Sequence, residues 1–211
     1  MTRQSTRPGR RETKRLDRRE AIIDVARAYF LEHGYAATAM SGIAATIGGS
    51  KATLWSYFPS KEALFEAVLD RATTRFRERI VSVLVPEADF ETTLRSFCRH
   101  FLEKVTNPES IALHRLIVAE AGRFPEIGEM FYRRGPNTMI RLLGDFIELG
   151  MARGKLRTDD PVNVAKLLLA LCLQGDHQQL LLGLVQRVDA ERIAATADTA
   201  VDFLLRAYAP E

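Results

Sequence analysis

The sequence of 211 residues contains only two cysteines, Cys98 and Cys172, and no unbroken apolar run long enough to cross a membrane. Two cysteines cannot build the disulfide framework of a small secreted domain, and both lie within apolar helical patterns. The polar N-terminus lacks the apolar segment of a secretory signal. The most apolar helix, near residues 167–185, is interrupted by polar side chains. These absences predict a reduced, cytoplasmic protein that does not span a membrane.

Motifs of catalysis and metal binding are also missing. The sequence has no glycine-rich phosphate loop, no nucleophile elbow and no metalloprotease motif. Its four histidines are scattered, and the nearest approach to a metal pair is Cys98 with His100. Residues two apart on a helix do not face each other, so this pair is a poor metal site. We therefore predict no enzymatic activity, no metal and no cofactor.

Charge is distributed unevenly along the chain. Residues 1–61 hold 11 basic and five acidic side chains, whereas the remainder holds 19 basic and 22 acidic ones. A basic N-terminal part on a mildly acidic body suits a polyanionic partner for the first part only. Residues 1–16 are rich in arginine and predict a flexible arm, which either only aids solubility or lies along DNA. A scaffold helix is expected over residues 17–33, with Gly34 closing it.

Residues 38–58 have the pattern of two short helices joined by a tight turn. Apolar side chains recur at helical spacing in the first helix. Gly48 and Gly49 then supply the positive φ angles of a sharp turn. Ser50 can cap the second helix, and Pro59 disfavours helical geometry at the residue before it. This spacing is that of a helix-turn-helix whose recognition helix covers residues 50–58.

The outward face of the predicted recognition helix is built from small residues edged by a cation and a phenol. At 100° per residue, Leu54 and Phe58 point inward, while the opposite side carries Ala52, Thr53 and Ser56, with Lys51 and Tyr57 on the flanks. A helix that enters the major groove needs little bulk opposite the base edges and donors for phosphates at the rim.

The segment GYAATAMSGIAATIGGSKATLWSYFPSKEALFEAVL resembles the N-terminal DNA-binding domain of the TetR family of transcriptional regulators, and the match extends over residues 21–69. Relative to the family, Ala39 replaces a capping Ser or Thr, so that Thr38 or Ser41 would have to cap the first helix. Ile47 and Gly49 also depart from the usual residues, which is expected to loosen the turn. The resemblance and the helix geometry together predict DNA contacts from Ser41, Lys51, Ala52, Thr53, Trp55, Ser56, Tyr57 and Lys61.

The remainder of the chain is helical throughout, without a convincing strand pattern. Its segment ALHRLIVAEAGRFPEIGEMFYRRGP is similar to the AefR-like subgroup of TetR C-terminal domains. The fold class is therefore predicted as all-α, with an N-terminal three-helix helix-turn-helix domain and a larger helical domain for ligand binding and dimerisation. The expected boundaries are 1–16 for the arm, 17–61 for the DNA-binding domain, 62–86 for a linking helix and 87–211 for the larger domain.

A ligand cavity is expected among the helices of the larger domain, because it has more helix than dimerisation alone needs. Such cavities are mostly apolar with a few polar groups. The aromatic and polar side chains concerned can equally be structural. The predicted ligand contacts are Phe97, Phe101, His114, Met139, Phe146, Cys172 and Asp176, with His177 as a further polar candidate.

A helix predicted over residues 162–185 is apolar nearly all round and must be buried on more than one side. One side can face its own core and the other a second subunit; the alternative is a fully internal helix. Together with the last helix it would form a four-helix interface about a two-fold axis. The predicted interface residues are Leu168, Leu171, Gln178, Leu182, Val201, Leu204 and Leu205.

These features predict a homodimeric repressor that binds a palindromic operator in double-stranded DNA and is released by a small, mostly apolar inducer. One alternative is a DNA-binding protein that responds to no ligand. Another is a helical enzyme or interaction protein that carries a DNA-binding module. Salt-dependent binding to promoter DNA distinguishes a repressor from the enzyme or interaction protein. Ligand screening distinguishes it from the DNA-binding protein that responds to no ligand.

Overall fold

The computed structural model describes residues 10–210, and the regular elements within this range are all α-helices. This confirms the all-α prediction. In chain order the helices are α1 (Arg10–Ala37), α2 (Met40–Thr46), α3 (Lys51–Tyr57), α4 (Lys61–Val83), α5 (Phe90–Val105), α6 (Pro108–Glu120), α7 (Pro125–Arg134), α8 (Pro136–Ala152), α9 (Pro161–Leu173), α10 (Asp176–Leu182) and α11 (Ala190–Ala207). None of these helices is both long and apolar enough to span a membrane.

The chain divides into two compact units, one ending at Asp70 and the other beginning at Arg71. The boundary falls within α4, which continues across it as one helix. The first unit contains α1, α2, α3 and the first part of α4, and the second unit contains the rest. The predicted linking helix of residues 62–86 therefore belongs by packing to both units.

In the first unit, aromatic side chains from α1 and α4 build one core. Phe30 and Tyr35 stack with ring centroids 5.8 Å apart, and Phe65 meets both rings edge-on at 4.9 and 5.1 Å. Leu54 of α3 is fully buried in this unit, as the inward face predicted. Apolar burial, which is the largest favourable term in folding, thus holds α1, α3 and α4 together in one unit.

Helix α1 is longer than predicted at both ends. It begins at Arg10, so residues 10–16 of the predicted arm are helical, while residues 1–9 of that arm lie outside the described range. At the other end the chain kinks at Gly34, where φ is 79°, and helical geometry resumes up to Ala37. Only glycine takes such a φ at low cost, so Gly34 bends the helix where closure had been expected.

The turn between α2 and α3 also differs from its prediction. Gly48 alone has a positive φ, of 64°. Gly49 instead leaves room for Arg18, since a Cβ added at Gly49 would lie 3.2 Å from Arg18 Nη2. That nitrogen donates to the carbonyl oxygen of Ile47 at 2.6 Å. An arginine from α1 thus contacts the turn that was expected to be loosened, and the loosening itself stays a prediction.

Helix caps follow the sequence closely, with one exception. Ser50 Oγ accepts from Thr53 N at 3.1 Å, and Ser60 Oγ accepts from Ala63 N at 3.0 Å. At α2 the N-cap residue Ala39 provides no side-chain bond. Thr38 does not replace it, because its hydroxyl donates to the carbonyl oxygen of Gly34 at 2.7 Å.

The second unit packs α8 against α9 and α5 against α11 around a shared apolar core. At its edge Arg95 of α5 donates to Glu91 at 2.6 Å and to Asp202 of α11 at 2.5 Å. A predicted single helix over residues 162–185 is in fact two helices, because Gly175 adopts a φ of 75° between α9 and α10. This break directs α10 toward α6, where Arg115 donates to the carbonyl oxygen of Leu180.

Candidate DNA-contact surface and ligand cavity

Helix α3 presents most of the predicted DNA contacts to solvent. Lys51, Ala52 and Ser56 are exposed, and Trp55 is 44% exposed. The side chains of Thr53, Tyr57 and Lys61 are partly buried, and Ser41 of α2 is exposed. These positions fit a helix that lies in a major groove, and their contacts with DNA remain predictions.

Hydroxyl groups on α3 are partly engaged within the helix. Thr53 Oγ1 lies 3.0 Å from Ser50 Oγ, and Ser56 Oγ donates to the carbonyl oxygen of Thr53 at 2.7 Å. A hydroxyl has one proton to donate and two lone pairs that accept. Ser56 Oγ can therefore still accept from an N–H at a base edge, whereas a bond to a phosphate would require the proton that it now donates to Thr53.

Lys61 has a structural role beside its predicted phosphate contact. Its Nζ donates to the carbonyl oxygens of Tyr35 at 2.9 Å, Ala36 at 3.3 Å and Thr38 at 3.4 Å. The ammonium also lies 4.5 Å from the centre of the Tyr35 ring. An ammonium has three donors, so these carbonyls occupy its hydrogen-bonding capacity and close the end of α1.

Two arginines on α1 support the recognition helix and had not been singled out from the sequence. Arg18 holds the turn through the Ile47 carbonyl, and the Arg19 guanidinium lies 5.2 Å from the centre of the Phe58 ring. Both stand four residues before buried isoleucines of α1, Ile22 and Ile23. This shared helix face is a signal that could have assigned them a packing role.

A cavity of about 340 Å³ lies in the second unit. This volume is at the lower end of the range of about 300–1,000 Å³ for small-molecule sites. Its wall is mostly apolar, with polar groups at a few positions. The lining residues are Ala72, Thr73, Phe76, Phe101, Lys104, Val105, Glu109, Ser110, Leu113, His114, Phe131, Arg134, Gly135, Pro136, Met139, Ile140, Lys166, Leu169, Ala170, Leu173 and His177.

Three of the predicted ligand contacts, Phe101, His114 and Met139, line this cavity, as does His177. The others lie elsewhere. Phe97 is fully buried, and Phe146 stacks on Phe90 with ring centroids 5.2 Å apart. Cys172 is buried in the same core as Cys98, and Asp176 pairs with Arg192. These four side chains have structural partners and are not part of the cavity wall.

The two histidines of the cavity lie against each other with ring centroids 5.4 Å apart. Burial and the neighbouring His114 lower the pKa of His177 to about 4, and burial also lowers the pKa of His114. Both rings are therefore neutral near pH 7, and a neutral imidazole offers one donor and one acceptor. The pair supplies hydrogen-bonding groups in an otherwise apolar wall.

Lys104 is one of the cavity cations that sequence reasoning missed. It stands in the last turn of α5, and burial lowers the pKa of its ammonium, with the charge of Glu109 acting in the opposite direction. Phe101, Lys104 and Val105 share one face of α5, since they are three and four residues apart. The sequence shows that spacing, but it does not show which face of α5 lines a cavity.

The predicted dimer residues fall into two groups. Leu168 and Val201 are 0% exposed and Leu204 is 2% exposed within the single chain. A partner cannot cover them further, so their assignment to an interface was wrong, and they belong to the core of the second unit. Leu171 and Leu205 are half-buried, whereas Gln178 and Leu182 are exposed.

Other apolar side chains toward the C-terminus are exposed as well. They include Leu167 of α9, Leu184 after α10 and Phe203 of α11. In the part of the chain that the structure describes, no three His, Cys, Asp or Glu side chains come together in a way that could hold a metal ion.

Family models match both units. The model for bacterial regulatory proteins of the tetR family matches residues 22–68, and the model for the C-terminal domain of AefR-like transcriptional repressors matches residues 92–210. The latter alone spans more than half of the chain.

Whole-chain comparisons agree with these matches. The flavonoid-responsive regulator FrrA is 35% identical, with a TM-score of 0.80 over 90% of this chain and 96% of FrrA. A TetR-family regulator from Mesorhizobium loti is 29% identical, with a TM-score of 0.81 over 92% of this chain and 97% of its own. The transcriptional regulator UidR of Escherichia coli (strain K12) is 25% identical over 194 residues, which are 90% of each chain.

Proposed function

Because this chain belongs to the TetR family of DNA-binding transcriptional regulators, which are not enzymes, we propose that it is a repressor released from its operator by a small aromatic ligand. The observation that carries the proposal is the cavity of about 340 Å³ in the second unit. A DNA-binding protein without a ligand would gain nothing from such a cavity, since filling it with side chains would increase stability.

Helix α4 is the element through which ligand would act on DNA binding. Its first part contributes Leu64, Phe65, Val68 and Leu69 to the core of the first unit. Its second part contributes Ala72, Thr73 and Phe76 to the cavity wall. A ligand that shifts this wall would therefore displace a helix that belongs to the core of the DNA-binding unit.

Release requires that the ligand prefer the conformer that does not bind the operator. Equal affinity for both conformers shifts nothing, however tightly the ligand binds. Moving the population from mostly competent to mostly incompetent needs up to about 5.5 kcal/mol of preference. An apolar molecule that buries its surface in the cavity gains several kcal/mol in total, of the order of 25 cal/mol per Å².

The walls of the cavity favour an aromatic ligand. Phe76, Phe101 and Phe131 present ring surfaces to it, beside the His114–His177 pair. Aromatic groups gain from offset or edge-on contact with such rings in addition to area burial. FrrA, which is similar over the whole chain, is described as flavonoid-responsive, and a flavonoid is an aromatic ligand of this kind.

The active form proposed here is a homodimer on a palindromic operator. Leu182, Leu184 and Phe203 are 67, 71 and 61% exposed. A partner subunit that covered these large apolar side chains would remove them from water, which supports an interface on α10 and α11. A two-fold dimer would place two copies of α3 on two half-sites, one or more helical turns apart. A regulator of chromosomal DNA works in the bacterial cytoplasm, which is the compartment we propose.

The test is a mobility shift with the promoter fragment next to the protein's own gene, followed by titration with flavone, a neutral aromatic probe. We expect the protein to form a salt-dependent complex with the promoter fragment, and flavone to dissociate this complex. Phe101→Ala should raise the flavone concentration needed for release, while Phe146→Leu, outside the cavity, should leave it unchanged. A complex that no aromatic compound dissociates would instead support the alternative of a ligand-independent DNA-binding protein.

A further inference from the structure

The cavity wall carries an excess of positive charge. Lys104, Arg134 and Lys166 line it, against the single carboxylate of Glu109. Arg134 already interacts with another protein group, and Lys166 is exposed to solvent. The half-buried Lys104 is the cation that an apolar ligand alone would leave without a counter-charge, and a desolvated charge is costly unless it is paired. The charge of the wall is therefore a feature that the proposed binding of an aromatic molecule does not explain.

Lys104 is the cation for which an anionic partner in the cavity is best supported. The charge of Glu109 acts on its ammonium, yet the effect of burial is larger and lowers the pKa of that group. A lysine in the last turn of a helix is favoured by the helix dipole, but that effect operates equally at an exposed position. Placing this lysine in a cavity wall costs solvation, and an anion in the cavity would offset the cost.

The two histidines provide the second, independent observation. His177 is only 6% exposed and lines the cavity. Among the described residues neither His177 nor His114 forms a hydrogen bond with a protein group, yet no fully enclosed side-chain nitrogen or oxygen there lacks a partner. Their ring nitrogens therefore keep some accessible surface, and both side chains line the cavity. Each neutral ring can donate one N–H to a ligand oxygen there.

The N-terminus of α8 adds a further favourable element. Gly135 and Pro136 line the cavity, and no side chain caps this helix of 17 residues. The first N–H groups of a helix and its dipole favour negative charge. Anion-favouring groups thus come from α5, α7, α8 and α9, with neutral donors from α6 and α10.

Building on the proposed aromatic ligand, we infer that the ligand is an aromatic acid, whose carboxylate or ionised phenol is held by Lys104 and the His114–His177 pair. The aromatic body occupies the space among Phe76, Phe101 and Phe131. The acid group pairs with the partly buried ammonium and accepts hydrogen bonds from the imidazoles. A neutral isostere would fit the same space but leave Lys104 unpaired.

The experiment is calorimetric titration of the full-length protein with 2-naphthoate and with 2-naphthamide, which share a shape and differ in charge. The wild type is expected to bind naphthoate roughly ten- to hundredfold more tightly, the range for a charge-assisted hydrogen bond. Lys104→Met should bring this ratio close to one by weakening naphthoate alone, and Lys104→Arg should retain most of it. Lys155→Met, a lysine outside this cavity, is the matched control and should behave as wild type.

Equal affinity of the two probes for the wild type would overturn the inference. So would an unchanged preference for naphthoate in Lys104→Met, or no binding of either probe to the wild type. Should Lys104→Met fail to fold, as judged by circular dichroism, the ratio on the wild type still decides. Failure of the repressor proposal is distinguishable. If naphthoate binds as expected but does not lower operator affinity, only the proposal of ligand-induced release is contradicted. If flavone releases the operator but both naphthyl probes bind equally, only the inference of an acidic ligand is contradicted.

Discussion

Two lysines of the first unit differ in how their side chains are held. The Lys61 ammonium lies on three main-chain carbonyls at the end of α1, whereas Lys51 stands exposed in the first turn of α3. Replacing Lys61 would remove hydrogen bonds to a charged group, each of which contributes about 1.5–3 kcal/mol. A loss of DNA binding in such a variant could therefore come from lower protein stability as well as from a lost contact with DNA. Lys51 is therefore the better probe of recognition.

Lys51→Ala should weaken operator binding by about 1–3 kcal/mol and change the base preference at one position of each half-site. The reason is that Lys51 projects from the exposed face of α3 and makes its predicted contact in the groove. Fluorescence anisotropy with a set of singly substituted operators measures both effects. Lys155→Ala serves as the control for lost charge. If the Lys51 variant kept the affinity and base preference of the wild type, the predicted placement of α3 in the major groove would be wrong.

His177 provides a prediction about pH. Its pKa is lowered from the ordinary 6.5 to about 4, so the unfolded chain binds more protons than the folded one between these values. Stability should therefore fall as the pH is lowered from 6.5 to 4, and this residue accounts for up to about 3 kcal/mol of the loss. Urea unfolding of the wild type and of His177→Gln measures the difference. An identical pH dependence in both proteins would contradict the assigned shift.

At the scale of elements, the contact of α5 with α8 depends on the absence of a side chain at Gly150. A Cβ at this position would collide with the Phe90 ring, which stacks on Phe146. Gly150→Ala should therefore destabilise the protein by about 1–3 kcal/mol through overpacking. Gly122→Ala is the matched control, because nothing lies within 4 Å of a Cβ there. Equal melting temperatures for the two variants would refute this packing account.

The ends of helices could be predicted from the sequence because the groups that determine them are local. Ser50 caps α3 as predicted, and Asn107, Asp160 and Asp189 cap α6, α9 and α11 through the same kind of local bond. A capping bond joins residues two or three apart, so the sequence contains both partners. The break at Gly175 was missed because one glycine within a strongly apolar helical pattern does not by itself indicate a break.

The cavity wall was predicted only in part, because it depends on long-range packing. Phe97 and Phe101 lie four residues apart on α5, yet only Phe101 reaches the cavity. Helical spacing shows that the two rings share a face, but not which part of that face meets another helix. Likewise, Leu168 and Leu182 were both assigned to the dimer interface, and only Leu182 is exposed. Apolar character alone does not distinguish a core from an interface.

At the scale of the whole molecule, assembly can be tested through the exposed apolar side chains of α10 and α11. Leu182→Glu combined with Phe203→Glu should convert a dimer to monomers and weaken operator binding, because each half-site then binds separately. Multi-angle light scattering gives the mass directly. Val118→Glu alters a side chain that is equally exposed, at 67%, on α6 and should leave the mass unchanged. A doubly substituted protein that remains dimeric would place the interface elsewhere.

Coupling between the cavity and the operator is the central claim, and reciprocal linkage tests it most directly. The measurement is the affinity of the labelled operator, by fluorescence anisotropy, with and without saturating 2-naphthoate. It is paired with calorimetry of 2-naphthoate on the free and the operator-bound protein. The account predicts that ligand lowers operator affinity about 5- to 150-fold, and that operator lowers ligand affinity by the same factor. A ligand that fills the cavity, as shown by its loss in Phe101→Ala, yet leaves operator affinity unchanged would contradict the account.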